Sequence, residues 1–109
     1  MKKSAIDWEL GRKLVGNNLE LAQEMIKDLL TALPHHLNTI QQAYQQNDLE
    51  TLKTAIHHLH GALCYCGTPS LKEAARNLEI AIIEKQSSLA SYYQAFLDEV
   101  DLLKNTFKS

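Results

Sequence analysis

The sequence has few residues that interrupt a compact fold, since its 109 residues include only four Gly and two Pro. With a hydrophobic content of 45%, this composition fits one domain with one core, spanning residues 1–109. Cysteine is also scarce, with only Cys64 and Cys66. If they share a helix, their spacing of two points them to opposite sides, so they cannot bridge each other. We expect free thiols in a reducing compartment.

No charge of one sign dominates the chain. Eleven Lys and Arg against thirteen Asp and Glu leave a formal net charge of -2, and no basic block is present. Nucleic acid is therefore not expected as a partner. No apolar run is long enough for a signal peptide or a membrane span. We therefore expect a soluble, cytoplasmic protein that acts as a monomer.

The sequence does contain apolar residues that recur at steps of three and four, the pattern of a helix with one buried stripe. The first stripe predicts a long helix, started by Asn17 as N-cap with Glu20 three residues later. Pro34 lies inside this helix and predicts either a kink near Leu33 or two helices in line. The stripe consists of Leu19, Ala22, Ile26, Leu29, Leu33, Leu37, Ile40 and Tyr44.

Three further stripes predict three further helices. The first of them is expected over residues 49–66, with Gly67 in the left-handed conformation just past its end. Thr68 and Pro69 then suit the N-cap and the first position of the following helix. The stripes consist of Leu49, Leu52, Ile56, Leu59 and Leu63; of Leu71, Ala75, Leu78 and Ile82; and of Leu89, Tyr93, Phe96, Val100, Leu103 and Phe107.

A short N-terminal helix is expected around Asp7 to Leu14, with Trp8 or Leu10 covering the core. Four long amphipathic helices with short connections argue for an antiparallel bundle. The predicted fold class is therefore all-α, an antiparallel four-helix bundle with a short additional N-terminal helix.

Unusual chemistry is confined to residues 55–67, which read Ala-Ile-His-His-Leu-His-Gly-Ala-Leu-Cys-Tyr-Cys-Gly. His57 lies roughly 120° from the centre of the apolar stripe and is therefore expected to face solvent. His60 lies about 60° from that centre, on the same face as His57 and Lys53. His58 points to the other exposed flank.

Gly61 stands out because glycine inside a helix costs about 0.5–1 kcal/mol relative to alanine. Helical side chains lean toward the N-terminus, so a side chain at position 61 would lie over the ring of His57. Without one, the ring is open to a bulky partner. An exposed imidazole beside His60 and Lys53 suits a nucleophile that accepts a dianionic phosphoryl group.

The machinery for using ATP is missing from the sequence. There is no Gly-rich phosphate loop and no carboxylate cluster suited to nucleotide-bound magnesium. We therefore expect no ATP-dependent kinase activity of the chain's own, and a phosphoryl group that comes from another protein.

The residues alone leave other interpretations open. A solvent-facing histidine on a helix is usually only part of the surface, and periodicity cannot choose His57 over His58. The spacing of His57, His60 and Cys64 suits metal ligands on one helix face, so a metal-binding bundle is one alternative. Another is a non-phosphorylated interaction domain that keeps the fold without the transfer.

The run His-His-Leu-His-Gly at positions 57–61, followed by Gly67, resembles the signature of histidine-containing phosphotransfer (HPt) domains. In that signature a phosphoacceptor His is followed by x-Leu-Lys-Gly and, six residues after that Gly, by a second Gly. His60 departs from it, since most members have Lys there. The variant with His, followed by Gly-Ala-x-Cys-Tyr-x-Gly-x-Pro, is similar to the C-terminal HPt domains of BarA/GacS-type hybrid sensor kinases.

The resemblance implies a phosphorelay carrier. In this role His57 accepts a phosphoryl group from a phosphoaspartate of a response-regulator receiver domain, and passes it to an aspartate of another receiver. The receivers, including those of a hybrid sensor kinase, are the implied partners. No cofactor is expected in this chain, because the magnesium of the reaction is expected on the receiver.

The resemblance also implies roles for residues around the phosphoacceptor. Glu79 would hydrogen-bond the ring of His57 and fix its tautomer. His60 would support the phosphoryl group where the usual member has Lys, by donating one hydrogen bond. Lys72 and Arg76 share a helix face with Glu79, so they are expected, with Lys53, to border the site and bind phosphate or partner.

Overall fold

The computed structural model of the protein describes the backbone of residues 5–108 and the side chains of residues 5–106. In this part of the chain there are five helices and no strand. The helices are α1 (Trp8–Leu14), α2 (Leu19–Gln45), α3 (Leu49–Leu63), α4 (Pro69–Ile83) and α5 (Leu89–Lys108). Each of α3, α4 and α5 packs against the helix before it, and α1 packs against α2. The predicted all-α bundle with a short N-terminal helix is confirmed.

Side chains cap the starts of three helices. The N-cap of α2 is Asn18, whose side chain accepts from the backbone N–H of Leu21 at 3.1 Å. The prediction of Asn17 was wrong by one residue, because Asn17 adopts a left-handed φ of 64° in the turn between α1 and α2. Asp7 caps α1 in the same way as Asn18 caps α2, and Asp48 caps α3.

The core follows the apolar stripes. Leu33, Leu59, Leu78 and Phe96 are completely buried and represent the four long helices. Among the stripe residues, Leu19 is an exception at 47% exposed, because it lies at the start of α2. The predicted inward side chain of Phe107 lies outside the described residues. The stripes therefore identified the buried faces of α2 to α5.

The long helix α2 continues through Pro34 without interruption. Of the two predictions for this segment, two helices in line is therefore wrong. Pro34 is exposed, and its missing N–H removes one hydrogen bond without breaking the helix. At the far end of α2, Tyr44 stacks on Tyr93 of α5 with ring centroids 3.7 Å apart, which ties the first long helix to the last.

The N-terminal segment covers the core with residues other than the expected ones. Ala5 and Ile6 are each only 4% exposed and belong to the core, whereas Trp8 is 37% exposed and Leu10 is half-buried. The prediction of Trp8 was wrong because the chain enters the core before α1 begins. Ala5 and Ile6, just before α1, thus contribute to the core.

Helix α3 ends at Leu63, three residues earlier than predicted. The N–H groups of Cys64, Tyr65 and Cys66 each bond a carbonyl three residues back, at 3.2 to 3.4 Å, as in a tightened last turn. Cys66 has therefore left the helix, and the premise that both cysteines share one helix was wrong. They are nevertheless free thiols, as expected.

Gly67 is required for a different reason from the predicted one. It does not have a positive φ. A β-carbon on Gly67 would lie 2.8 Å from the backbone nitrogen of Gly11 and would collide with the backbone oxygen of Asp7. The backbone N–H of Asp7 also donates to the carbonyl of Gly67 at 2.7 Å. Gly67 therefore allows α1 to dock on the turn between α3 and α4. In that turn Thr68 is the N-cap and Pro69 the first residue of α4, as predicted.

Candidate functional site

The candidate site lies in the groove between α3 and α4. Apolar residues at steps of three and four bury one face of each helix, which leaves the flank bearing His57 exposed. The two helices run antiparallel, so successive residues of α3 meet residues of α4 in reverse order. His57 meets Glu79 in the middle of the groove.

The Nδ1 atom of His57 lies 2.9 Å from Oε2 of Glu79. The side chain of His57 is 68% exposed, whereas that of Glu79 is only 19% exposed. A carboxylate accepts hydrogen bonds, so this contact favours the tautomer in which Nδ1 carries the proton. The unprotonated Nε2, with its lone pair, is then the nitrogen available as a nucleophile.

Around His57 the groove forms a concavity of about 300 Å³, called here the His57 concavity. It is lined by Lys53, Thr54, His57, Glu79 and Ile83. Lys53 stands one turn before His57 on α3, and Ile83 one turn after Glu79 on α4. The structure thus brings three predicted site residues together: His57, Glu79 and Lys53.

Three other predicted site residues lie outside the His57 concavity. His60, Lys72 and Arg76 line a separate cavity of about 310 Å³, the α1 cavity, which α1 covers with Leu10 and Leu14. The Nε2 atom of His60 is buried there without a hydrogen-bond partner. Within the described residues, Lys72 and Arg76 form no ion pair. His60 and His57 therefore point into different spaces, although both lie on the same side of α3.

Gly61 lies on the exposed side of α3, one turn after His57. A β-carbon built on it would meet no atom within 4 Å. Nothing in the fold therefore requires glycine at this position, and the surface beside the ring of His57 is open.

The arrangement of an exposed histidine bonded to a glutamate of the next helix, with an open glycine one turn on, matches the sequence resemblance. A family model described as the Hpt domain matches residues 24–106. The chain belongs to the Hpt domain family.

The chain is also similar in sequence to parts of two sensor kinases. The chain is 33% identical over 101 residues to the sensor histidine kinase GacS of Pseudomonas protegens, a match that covers 93% of this chain and 11% of that protein. It is 29% identical over 100 residues to the signal transduction histidine-protein kinase BarA of Escherichia coli K12, covering 90% of this chain and 11% of BarA. The chain therefore spans about a tenth of the length of these relatives.

A solved structure gives the same answer. The crystal structure of the HPT domain from a sensor hybrid histidine kinase of Shewanella superposes with a TM-score of 0.84 at 32% identity. The match covers 96% of this chain and 92% of that one. The family resemblance is confirmed, and with it the phosphorelay carrier function of an Hpt domain.

The alternative of a metal-binding bundle finds no support in the geometry of this Hpt domain. Within residues 5–106 no three His, Cys, Asp or Glu side chains are grouped so that they could hold a metal ion. Cys64 and His60 face the α1 cavity, whereas His57 faces its own concavity. The spacing of His57, His60 and Cys64 suits metal ligands, but the side chain of His57 points into a different cavity from the other two.

Cys66 is buried beside α2, with its Sγ atom 3.8 Å from the carbonyl oxygen of Met25. Burial, with a smaller contribution from the negative charge of Asp28, raises the pKa of the Cys66 thiol to about 11. The thiolate is the reactive form of cysteine, so Cys66 is a packing residue in this Hpt domain.

Some residues near the site were not found from the sequence. Ile83 is one, although its spacing of four from Glu79 places it on the same face of α4. Away from the site, on the flank of α3 that faces α2, the sequence also gave no signal for His36, whose pKa is lowered by burial and by the neighbouring His35 and His58. Leu10 was expected at the core and Leu14 at the end of α1, and no local signal places either of them over a cavity.

No helix in the described part of the chain has both the length and the apolar character needed to cross a membrane.

Proposed function

We propose that His57 is the phosphoacceptor of this Hpt domain, taking the phosphoryl group from a receiver phosphoaspartate and passing it to an aspartate of another receiver. The observation that supports this most directly is the 2.9 Å contact between Nδ1 of His57 and Oε2 of Glu79. It orients an exposed ring and leaves Nε2 free to react. Neither His58 nor His60 has a hydrogen bond to a carboxylate in the described part of the chain.

The transfer is a displacement at phosphorus. The lone pair of Nε2 of His57 forms the N–P bond while the bond between phosphorus and the aspartate oxygen breaks. The aspartate leaves as a carboxylate with that electron pair. The proton on Nδ1 stays in place, so the phosphorylated ring carries a positive charge. Glu79 balances this charge from 2.9 Å.

Glu79 can assist the transfer in both directions. While the ring remains protonated at Nδ1, the neutral imidazole is regenerated when the phosphoryl group leaves for another aspartate. A carbonyl acceptor would hold the ring orientation but would not balance the positive charge. The charge of Glu79 is partly shielded from water, since its side chain is only 19% exposed. Water weakens this interaction less than it would at a fully exposed site.

The receiver contributes the rest of the catalytic site. The acidic residues of its pocket would hold magnesium, which would supply positive charge for the oxygens of the transferred phosphoryl group. The Hpt domain supplies the nucleophile, its orientation and a surface on which the receiver docks. Gly61 leaves the approach open, and Lys72 and Arg76, both exposed on α4, are candidates to meet acidic groups of the receiver.

The direct test uses two neighbouring histidines as a matched pair. His57→Gln removes the nucleophile at an exposed position, so we expect complete loss of phosphoryl acceptance from a phosphorylated receiver with unchanged helix content. His58→Gln makes the same chemical change on the other flank of α3 and is expected to accept normally. Acceptance is measured as acid-labile phosphate on the chain. Transfer that survives in His57→Gln and vanishes in His58→Gln would assign the phosphoacceptor to His58 instead. No acid-labile phosphate on the wild-type chain would favour an interaction domain without transfer.

A further inference from the structure

A phosphoryl group on His57 needs a cation nearby. It carries about -1.5 to -2 charges at neutral pH, and Glu79 already places a carboxylate beside the same ring. The usual Hpt signature has Lys three residues after the phosphoacceptor, and that position is His60 here. His60 lines the α1 cavity, and its Nε2 atom is buried. The position that supplies the cation in the common pattern is thus turned away from the phosphoacceptor.

Lys53 is a cation close to His57, one helical turn before it on α3. It lines the His57 concavity together with His57 and Glu79. It is four residues before His57 on α3, and residues at that spacing are neighbours on a helix surface. Helical side chains lean toward the N-terminus, so the ring of His57 lies over the turn that contains Lys53. A group added to the ring is therefore on the side of Lys53.

The present partner of Lys53 can be given up easily. Its Nζ atom lies 3.6 Å from Oε2 of Glu50, and the side chains are 39% and 82% exposed. An ion pair with so exposed a carboxylate contributes little to stability. A phosphoryl dianion carries more charge than Glu50, and it would lie in the concavity that Lys53 already lines. The ammonium group of Lys53 gains by moving from one to the other.

We propose that Lys53, and not His60, neutralises the phosphoryl group on His57, and that Lys53 exchanges Glu50 for the phosphoryl oxygens when His57 is phosphorylated. This inference rests on the proposed function of His57. It makes Lys53 a phosphate-binding residue and Glu50 its competitor. Loss of Lys at position 60 is then offset by a lysine one turn before the phosphoacceptor.

The test is a ³¹P NMR titration of the phosphorylated full chain, prepared with phosphoramidate so that receiver docking plays no part. The measured quantity is the pH midpoint at which the phosphoryl group takes up its proton. A nearby cation lowers this midpoint by favouring the dianion. In Lys53→Met we expect it to rise by about half a pH unit, a moderate shift because the site is open to solvent. Lys53→Arg keeps the charge and should restore the low midpoint.

Three further variants separate the explanations. Glu50→Gln removes the competitor and should lower the midpoint, opposite in sign to Lys53→Met. Lys104→Met removes one exposed lysine from α5 and controls for net charge, with no shift expected. His60→Ala should leave the midpoint within the range of that control. Circular dichroism of each variant checks that the helices are intact.

The outcomes distinguish this inference from the proposed function. A midpoint that rises in His60→Ala and stays fixed in Lys53→Met would overturn the assignment to Lys53. A fixed midpoint in both variants would overturn it as well, since neither side chain would then contact the phosphoryl group. If the wild-type chain shows no phosphohistidine signal with phosphoramidate or with a phosphorylated receiver, the proposed function itself fails.

Discussion

Gly61 and Gly67 belong to one motif, six residues apart, yet their surroundings differ completely. A β-carbon on Gly61 would meet no atom within 4 Å, whereas one on Gly67 would lie 2.8 Å from the backbone nitrogen of Gly11. The space beside Gly67 is filled by α1 of the same chain. The space beside Gly61 is empty, and it adjoins the exposed ring of His57. One glycine therefore serves the fold, and the other leaves room for something that is not part of this chain.

The energetic consequences have opposite signs. Gly61 lies inside α3, where glycine costs about 0.5–1 kcal/mol relative to alanine, and no contact within the described structure offsets that cost. Gly67 permits a backbone hydrogen bond of 2.7 Å between Asp7 and the turn after α3. A substitution at Gly67 should therefore harm stability, whereas one at Gly61 should harm only the docking of a partner.

The largest effect is expected from Gly67→Ala. The added β-carbon collides with backbone atoms of Asp7 and Gly11, which cannot rotate away as a side chain would. We expect the free energy of unfolding to fall by about 3 kcal/mol, the upper end of the usual cost of overpacking. Urea denaturation measures the loss, and faster hydrogen exchange of α1 amides would show that α1 has undocked. Wild-type stability in Gly67→Ala would mean that α1 does not pack here.

The next effect separates docking from folding at Gly61. In Gly61→Leu the side chain leans back over His57, so we expect transfer from a phosphorylated receiver to slow by about a hundredfold, as for a displaced reacting group. Leu is the better helix former, so the free energy of unfolding should rise by about 0.5–1 kcal/mol. A time course of phosphoryl transfer gives the rate, and urea denaturation of the same preparation gives the free energy of unfolding.

The matched control is Gly61→Ala, which gains the same helix propensity with only a methyl group beside the ring. It should be at least as stable as Gly61→Leu and transfer faster. Equal transfer by the Leu variant and the wild type would mean that the receiver does not approach across Gly61.

The sequence predicted what depends on neighbours along the helix. The apolar stripes gave the helices and their buried faces, because burial repeats with the period of the helix. Glu79 was identified by the resemblance to Hpt domains, and the structure places it beside His57. Thr68 followed by Pro69, an N-cap residue before a proline, also predicted the start of α4 correctly.

The sequence did not predict what depends on contacts between distant segments. Gly67 was interpreted from local conformation, but its role is set by Asp7 and Gly11, far away along the chain. The end of α3 was placed too late, because the turn that receives α1 begins at Cys64. Helix geometry put His60 on the correct side, but the direction of its ring follows from the cavity that α1 covers.

The smallest predicted effect concerns the flank of α3 that faces α2, where neither an open approach nor a tight backbone contact is present. Here His36 of α2 is near His58 of α3, and burial, followed by the charges of His35 and His58, lowers the pKa of His36. Asp28 lines the same groove as His36.

Because the pKa of His36 is lower in the folded chain, the unfolded chain binds a proton at His36 more readily than the folded chain does. Stability from the neutral ring is complete above the ordinary pKa of about 6.5 and is lost as the pH falls through the lowered value. Because His36 is only half-buried, the loss should be at most a few tenths of a kcal/mol, or about 1–2 °C in Tm. His36→Gln should remove this part of the pH dependence, and His58→Gln should raise the pKa of His36 in an NMR titration. An unchanged pKa of His36 in His58→Gln would show that the two rings do not interact across α2 and α3.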